Sequence, residues 1–237
     1  MNKLIFDCNN FLKDCGFSYA ICGGYALELF LGKQIRSHSD LDISIFHEDR
    51  KHIVEFMLNK GWNVYTMPLS NKSKYLEQIL NLDDDNRILN PYGVWAIKPE
   101  CSFIELTSTD EEGVFKYEIQ NKKQLNFDFI DIIFNKQQGN RFVFWPVADK
   151  GKNVTRELDK AVLYSAGIPY LSPEVMLFII SPPEYFDSDY HRDKNCIDFE
   201  AVMPYLPNEG KEWLIDALKK VYPDGHRWLK QLKTNTL

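Results

Sequence analysis

"ICGGYALELFLGKQIRSHSDLDISIF" occupies residues 21–46, and the order of its parts decides the fold. Gly23 and Gly24 break the chain after the short apolar segment "FSYAIC" (17–22), which reads as a buried strand. "YALELFLG" (25–32) follows as a helix closed by Gly32. "LDISIF" (41–46) then alternates, placing Leu41, Ile43 and Ile45 on one side of a strand. Asp40 and Asp42 fall on the other side. Side chains two apart on a strand point the same way, about 6.5 to 7 Å apart. The two carboxylates therefore share a face while the aliphatic residues anchor the opposite one in the core.

Working outward, residues 2–15 repeat Leu4, Ile5, Cys8, Phe11 and Leu12 at helical spacing, and Gly16 is placed to stop that helix. Beyond the acidic strand, "EDRKHIVEFMLNKG" (48–61) reads as a helix and "WNVYTM" (62–67) as a strand. Between Pro91 and Pro146 the pattern turns to β: "GVWAIK", "CSFIELTS", "VFKYEI", "LNFDFIDIIF" and "RFVFWPV", divided by the turn segments "DEEG" and "NKQQGN". These are expected as meander or hairpin strands added to the first sheet. Residues 150–156 read as a loop. After them come helical segments: "SPEVMLFII" with Ser172 as cap and Pro173 at the first helical position, then "NCIDFEAVMPYL", "NEGKEWLIDALKKVY" and "GHRWLKQL". Trp213, Leu214, Leu218 and Trp228 stand at core spacings. The expected fold is α+β, a mixed sheet with flanking helices over residues 1–154, followed by a smaller helical domain over 155–237.

Composition bounds the function. A chain of 237 residues with 44% hydrophobic content buries a sizeable core. Its longest apolar run, around Val175 to Ile180, is far short of the roughly 20 residues of a membrane helix. The N-terminus carries Asp7 and Asp14 and has no small-residue cleavage site, so a cytoplasmic location is expected. The five cysteines (Cys8, Cys15, Cys22, Cys101, Cys196) form no C-x-x-C pair and read as small buried hydrophobes in a reducing compartment. A net charge of -6 counts against nucleic acid as a partner.

Two carboxylates held this close repel, and a divalent cation or a basic neighbour complements them. Oxygen ligands without clustered histidine or cysteine favour Mg²⁺ over zinc. The glycine pair, lacking Cβ atoms, lets an anion approach the backbone amides at a helix start. Taken singly, a glycine turn or a D-x-D strand is an ordinary structural feature. Their succession, with a short helix between, makes the chemical reading.

Strand, Gly-Gly, helix, then a strand bearing D-h-D resembles the DNA polymerase β-like nucleotidyltransferase superfamily. "GGYALELFLGKQIRSHSDLDI" (23–43) is similar to its aminoglycoside 2''-nucleotidyltransferase and lincosamide nucleotidyltransferase-like branch. "AGIPYLSPEVMLF" and "DFEAVMPYLPNEGKEWLIDAL" also resemble members of that group. The resemblance implies transfer of a nucleoside monophosphate, usually AMP from ATP, to a hydroxyl of a small, antibiotic-like molecule. It implies that Asp40 and Asp42 hold Mg²⁺ while Gly23 and Gly24 cradle the phosphates of ATP or another nucleoside triphosphate. Two metals about 3.5 to 4 Å apart serve such in-line chemistry.

The superfamily adds a third carboxylate on a later strand. Asp131, flanked by Ile130, Ile132 and Ile133, is preferred; Asp128 and Glu105 are the alternatives. Arg36 and His38 match the family's R-x-H, and Arg36 reaches either phosphate or the two aspartates. His38 reads as a loop hydrogen-bonder. Three departures stand out: Ile180 lies near a position where relatives carry lysine, a K-D pair becomes Lys194-Asn195, and the family's tryptophan is Tyr25. Lys194 remains a candidate phosphate contact. The rival readings are a catalytically silent nucleotide- or protein-binding relative, or a toxin-antitoxin nucleotidyltransferase.

Overall fold

The computed structural model describes residues 2–66, 74–83, 85–88, 92–121, 123–144, 153–182 and 189–234. Its first elements are α1 (Lys3–Leu12), β1 (Tyr19–Ile21), α2 (Gly23–Leu31), β2 (Asp42–Phe46), α3 (Arg50–Asn59), β3 (Asn63–Thr66) and β4 (Tyr75–Ile79). A short α4 (Asp85–Ile88) precedes β5 (Gly93–Ile97), β6 (Ile104–Ser108), β7 (Val114–Ile119), β8 (Phe129–Gln138) and β9 (Arg141–Val143). Then follow β10 (Thr155–Glu157), α5 (Leu158–Ala161), β11 (Val162–Ser165), β12 (Ile168–Leu171), α6 (Pro173–Ile179), α7 (Asp189–Val202), α8 (Asn208–Val221) and α9 (Trp228–Thr234). By their contacts these form two compact units, 1–21 with 37–135, and 22–36 with 136–237. The boundary expected at residue 154 falls inside the second unit, and residues 22–36 join that unit although both their neighbours in sequence belong to the first.

The first unit is a mixed sheet in the order β1-β2-β8-β5-β3-β4-β7-β6. β2 and β8 run parallel, with Ile43 opposite Ile132 and Ile45 opposite Phe134. The other pairings inside this unit are antiparallel. Leu41, Ile43, Ile45, Ile130 and Ile132 are all but fully buried, which fixes the register by the two-residue period of the strands. Asn2 caps α1, its Oδ1 accepting from the Leu4 amide at 2.9 Å. Phe11 of α1 packs edge-on against Phe56 of α3 at 5.3 Å and Phe127 at 5.5 Å, joining both helices to the segment that leads into β8.

The second unit is richer in strand than the sequence pattern implies. β9 pairs with β10, and β11 with β12. The β11–β12 turn is Ala166-Gly167, with φ 49° and 79°, the two positive values that a tight hairpin turn demands. An Ala at the first of these hides the turn from a search for Asn-Gly or Asp-Gly. Around these strands pack α2, α6, α7, α8 and α9, with Leu214, Leu218 and Trp228 buried as expected and Trp213 partly buried. Phe144, Phe178 and Trp213 form a ring cluster, and Phe199 stacks on Trp228 at 4.5 Å. Ser172 stands at the cap position of α6, but its hydroxyl makes no cap bond and is buried without a partner.

The tail of "RFVFWPV" and the first part of the loop expected at 150–156 lie outside the described residues. β4 was not foreseen. No described helix is long and apolar enough to cross a membrane. None of the five cysteines is in a disulfide; Cys8 and Cys22 are buried and the other three partly so.

Candidate active site

In the first unit, Asp42 opens β2 and lies directly opposite Asp131 of β8. Residues paired in register across strands project from the same sheet face. The Asp131 amide donates to the Leu41 carbonyl at 3.0 Å, locking this register at the point where the carboxylates emerge. Asp40 stands two residues ahead of Asp42, just outside the strand, with Leu41 between them fully buried. The loop before Asp40 is tied to the entry of β8. The Gln124 amide donates to the Ser39 carbonyl at 3.1 Å, and its side chain donates to the carbonyls of Asn126 and Phe129 at 2.8 Å each. Further along the same face, the Asn135 side chain donates to Ser44 Oγ at 2.9 Å, a buried bond that joins β2 to β8 beyond the carboxylates.

The electrostatics follow from this placement. Burial pushes the Asp131 carboxyl up to about 8, the charge of Asp40 pushes it the same way, and the indole N–H of Trp95 acts weakly against both. Asp131 Oδ1 is buried with no hydrogen-bond partner. A buried, unsatisfied carboxylate oxygen facing a second carboxylate suits a hard divalent cation, and an all-oxygen donor set suits Mg²⁺. Among the described residues no three His, Cys, Asp or Glu side chains already close around one point, so the acidic residues stand as neighbours on two strands.

The two alternatives for the third carboxylate have other partners. Asp128 precedes β8, and its Oδ2 accepts from the amide and hydroxyl of Ser102, both at 2.9 Å. Glu105, exposed on β6, accepts from Gln120 Nε2 at 2.6 Å. His38 is buried.

The remaining sequence candidates belong to the second unit. Gly23 has φ 64°, a conformation that any side chain would strain, and it opens α2. Arg36 makes a two-pronged pair with Asp198 of α7, Nε to Oδ1 and Nη2 to Oδ2, each 2.8 Å. The Asp198 side chain is only 3% exposed, so this edge of the guanidinium neutralises a buried carboxylate of the helical unit. Glu28 of α2 steadies the segment that carries Arg36 by accepting from the Ile35 amide at 2.8 Å. Lys194 lies one turn before Asp198 on α7, partly buried. Tyr25 is buried in the core of this unit.

One residue of the carboxylate face went unnoticed in the sequence. Trp95 of β5 lies directly opposite Asp131 on the side away from Asp42. Only strand pairing brings residues 36 positions apart together, and no motif announces it.

Residues 4–82 match the family described as aminoglycoside-2''-adenylyltransferase. No curated protein matches the sequence. Among solved structures, the chain is similar to lincomycin-bound LnuA, a lincosamide antibiotic adenylyltransferase, with TM-score 0.46 and 14% identity over 85% of this chain and 98% of that one. It is also similar to the solution structure of the antibiotic-resistance factor ANT(2'')-Ia, with TM-score 0.46 and 14% identity over 93% and 92% of the two chains. A third is an antigenic nucleotidyltransferase-like protein from Paracoccidioides brasiliensis, with TM-score 0.45 and 14% identity over 98% and 92%.

Proposed function

We propose that this protein is a nucleotidyltransferase that moves a nucleoside monophosphate, AMP from ATP, onto a hydroxyl of a small, antibiotic-like molecule. The observation that carries the reading is the register of Asp42 against Asp131, with Asp40 close enough for its charge to raise the Asp131 carboxyl. The family match over residues 4–82, which contains Gly23, Gly24, Asp40 and Asp42, supports it. In this reading Asp40, Asp42 and Asp131 hold Mg²⁺. When bound, the cation neutralises charge along the triphosphate. The acceptor oxygen forms a bond to the α-phosphorus as the bond to pyrophosphate breaks. The hydroxyl proton passes to a base, and Asp131, opposite Asp42 on the neighbouring strand, is the carboxylate proposed for that task. Following the family pattern, Gly23, Gly24 and Lys194 take phosphate, while Arg36 serves Asp198.

The test is pyrophosphate release across a panel of nucleoside triphosphates and a library of hydroxyl compounds, with Mg²⁺ present. Turnover that falls about 100-fold or more in Asp42→Asn and in Asp131→Asn is expected. A folded wild type that releases nothing with any pair removes the transferase reading. One observation favours a second reading, in which nucleotide binds without being turned over. Ile180 places an apolar side chain at the end of α6, close to the position where the resemblance implies a lysine, and its carbonyl accepts from Asn195 at 3.3 Å. Nucleotide binding that ignores both Mg²⁺ and Asp42→Asn would mark that case.

A further inference from the structure

The indole of Trp95 is a donor without an acceptor, set beside an acceptor without a donor. Trp95 and Asp131 are register partners on adjacent antiparallel strands, so both side chains rise from one face. Trp95 Nε1 is buried with no hydrogen-bond partner, and so is Asp131 Oδ1. Two unmatched polar atoms of opposite kind on facing residues are an unusual pair, since buried N–H groups and carboxylate oxygens are rarely left unmatched. The ring is not free to turn away. It meets Tyr117 edge-on at 5.1 Å and Phe129 edge-on at 5.3 Å, which clamps the indole plane from two directions.

We propose that Trp95 is a positioning residue: as a divalent cation draws the Asp131 carboxylate into place, the unmatched Nε1–H comes to donate to that carboxylate and fixes its orientation. The inference rests on the cation role given to Asp131 above. Carboxylates that ligate a metal are held by an outer hydrogen bond, and loss of such a bond costs 10- to 100-fold in affinity. A neutral donor suits this place. It holds the oxygen without introducing the positive charge that an arginine or lysine would set against the cation.

The experiment is Mg²⁺ titration of the full chain by calorimetry, together with the indole N–H resonance of Trp95, identified by its absence in Trp95→Phe. The phenylalanine keeps an aromatic ring between Tyr117 and Phe129 and removes the donor together with the indole's second ring, a loss of packing that the next variant controls for. Phe129→Leu is the packing control, disturbing the ring's neighbour while the N–H stays. The expected result is Mg²⁺ affinity lowered about tenfold or more in Trp95→Phe and changed less than threefold in Phe129→Leu. The Trp95 N–H resonance should also move on adding Mg²⁺ in wild type and stay still in Asp131→Asn. Wild type that binds Mg²⁺ while Trp95→Phe binds it equally well, with the resonance unmoved, overturns the role of Trp95 and leaves the cation reading standing. Wild type that does not bind Mg²⁺ overturns both.

Discussion

Asp131→Asn should make the metal-free protein more stable, and more so as pH rises. The displacement of its carboxyl from an ordinary 3.8 to about 8 has two causes, burial first and the charge of Asp40 second, and both oppose ionisation in the folded chain only. The sign follows: between those two values the folded state holds a proton that the unfolded chain has released, so stability falls as pH rises. One such group gives a slope of at most about 1.4 kcal/mol per pH interval, and a shift of this size is worth several kcal/mol across the whole range. Asparagine cannot ionise and removes the slope. Urea unfolding of wild type and variant between pH 5 and pH 8, with chelator present, measures it directly. Wild type should weaken with pH relative to the variant, whose remaining profile includes the partly buried His226, and saturating Mg²⁺ should restore the wild type at the alkaline end while leaving the variant nearly unchanged. Parallel pH profiles for the two proteins would refute the reasoning, because the carboxyl would then be as well solvated folded as unfolded.

Arg36→Lys exchanges a two-pronged pair for a single contact above the buried Asp198 carboxylate, and urea unfolding should show a loss of about 2 kcal/mol. Glu174→Gln leaves Arg156, whose side chain is 6% exposed, with only the exposed Glu209 as anionic partner; a loss of about 3 kcal/mol should appear as a lowered melting temperature. Ala166→Asn, at φ 49° in the β11–β12 turn, should stabilise by up to about 1 kcal/mol, read by the same melts, since asparagine accepts the left-handed conformation more readily than alanine.

What the sequence disclosed depended on how local the cause was. β7 was legible to the residue, and β2 was legible because the alternation of Leu41, Ile43 and Ile45 is written into adjacent positions. The helices α1, α3 and α8 announced themselves through apolar spacing, with Gly16 and Gly61 marking the ends of the first two. The β11–β12 hairpin was missed since its turn uses alanine in a conformation usually given to glycine or asparagine. The pairing of Arg36 with Asp198 spans 162 positions, and nothing nearby in the chain distinguishes it from a guanidinium waiting for phosphate. Asp131 was legible as an isolated carboxyl among isoleucines, whereas its neighbour Trp95 became visible only when the strand order placed β5 beside β8.

The assignment of residues 22–36 to the second unit sets an order of events during synthesis. Helix α2 leaves the ribosome early, carrying Tyr25, Ala26 and Leu27 as side chains destined for burial, yet the helices it packs on, α6 and α7, are made more than a hundred residues later. Until then those partners are missing. A nascent chain halted near residue 135 should therefore be captured by holding chaperones through α2, and release should coincide with the emergence of the segment containing α6.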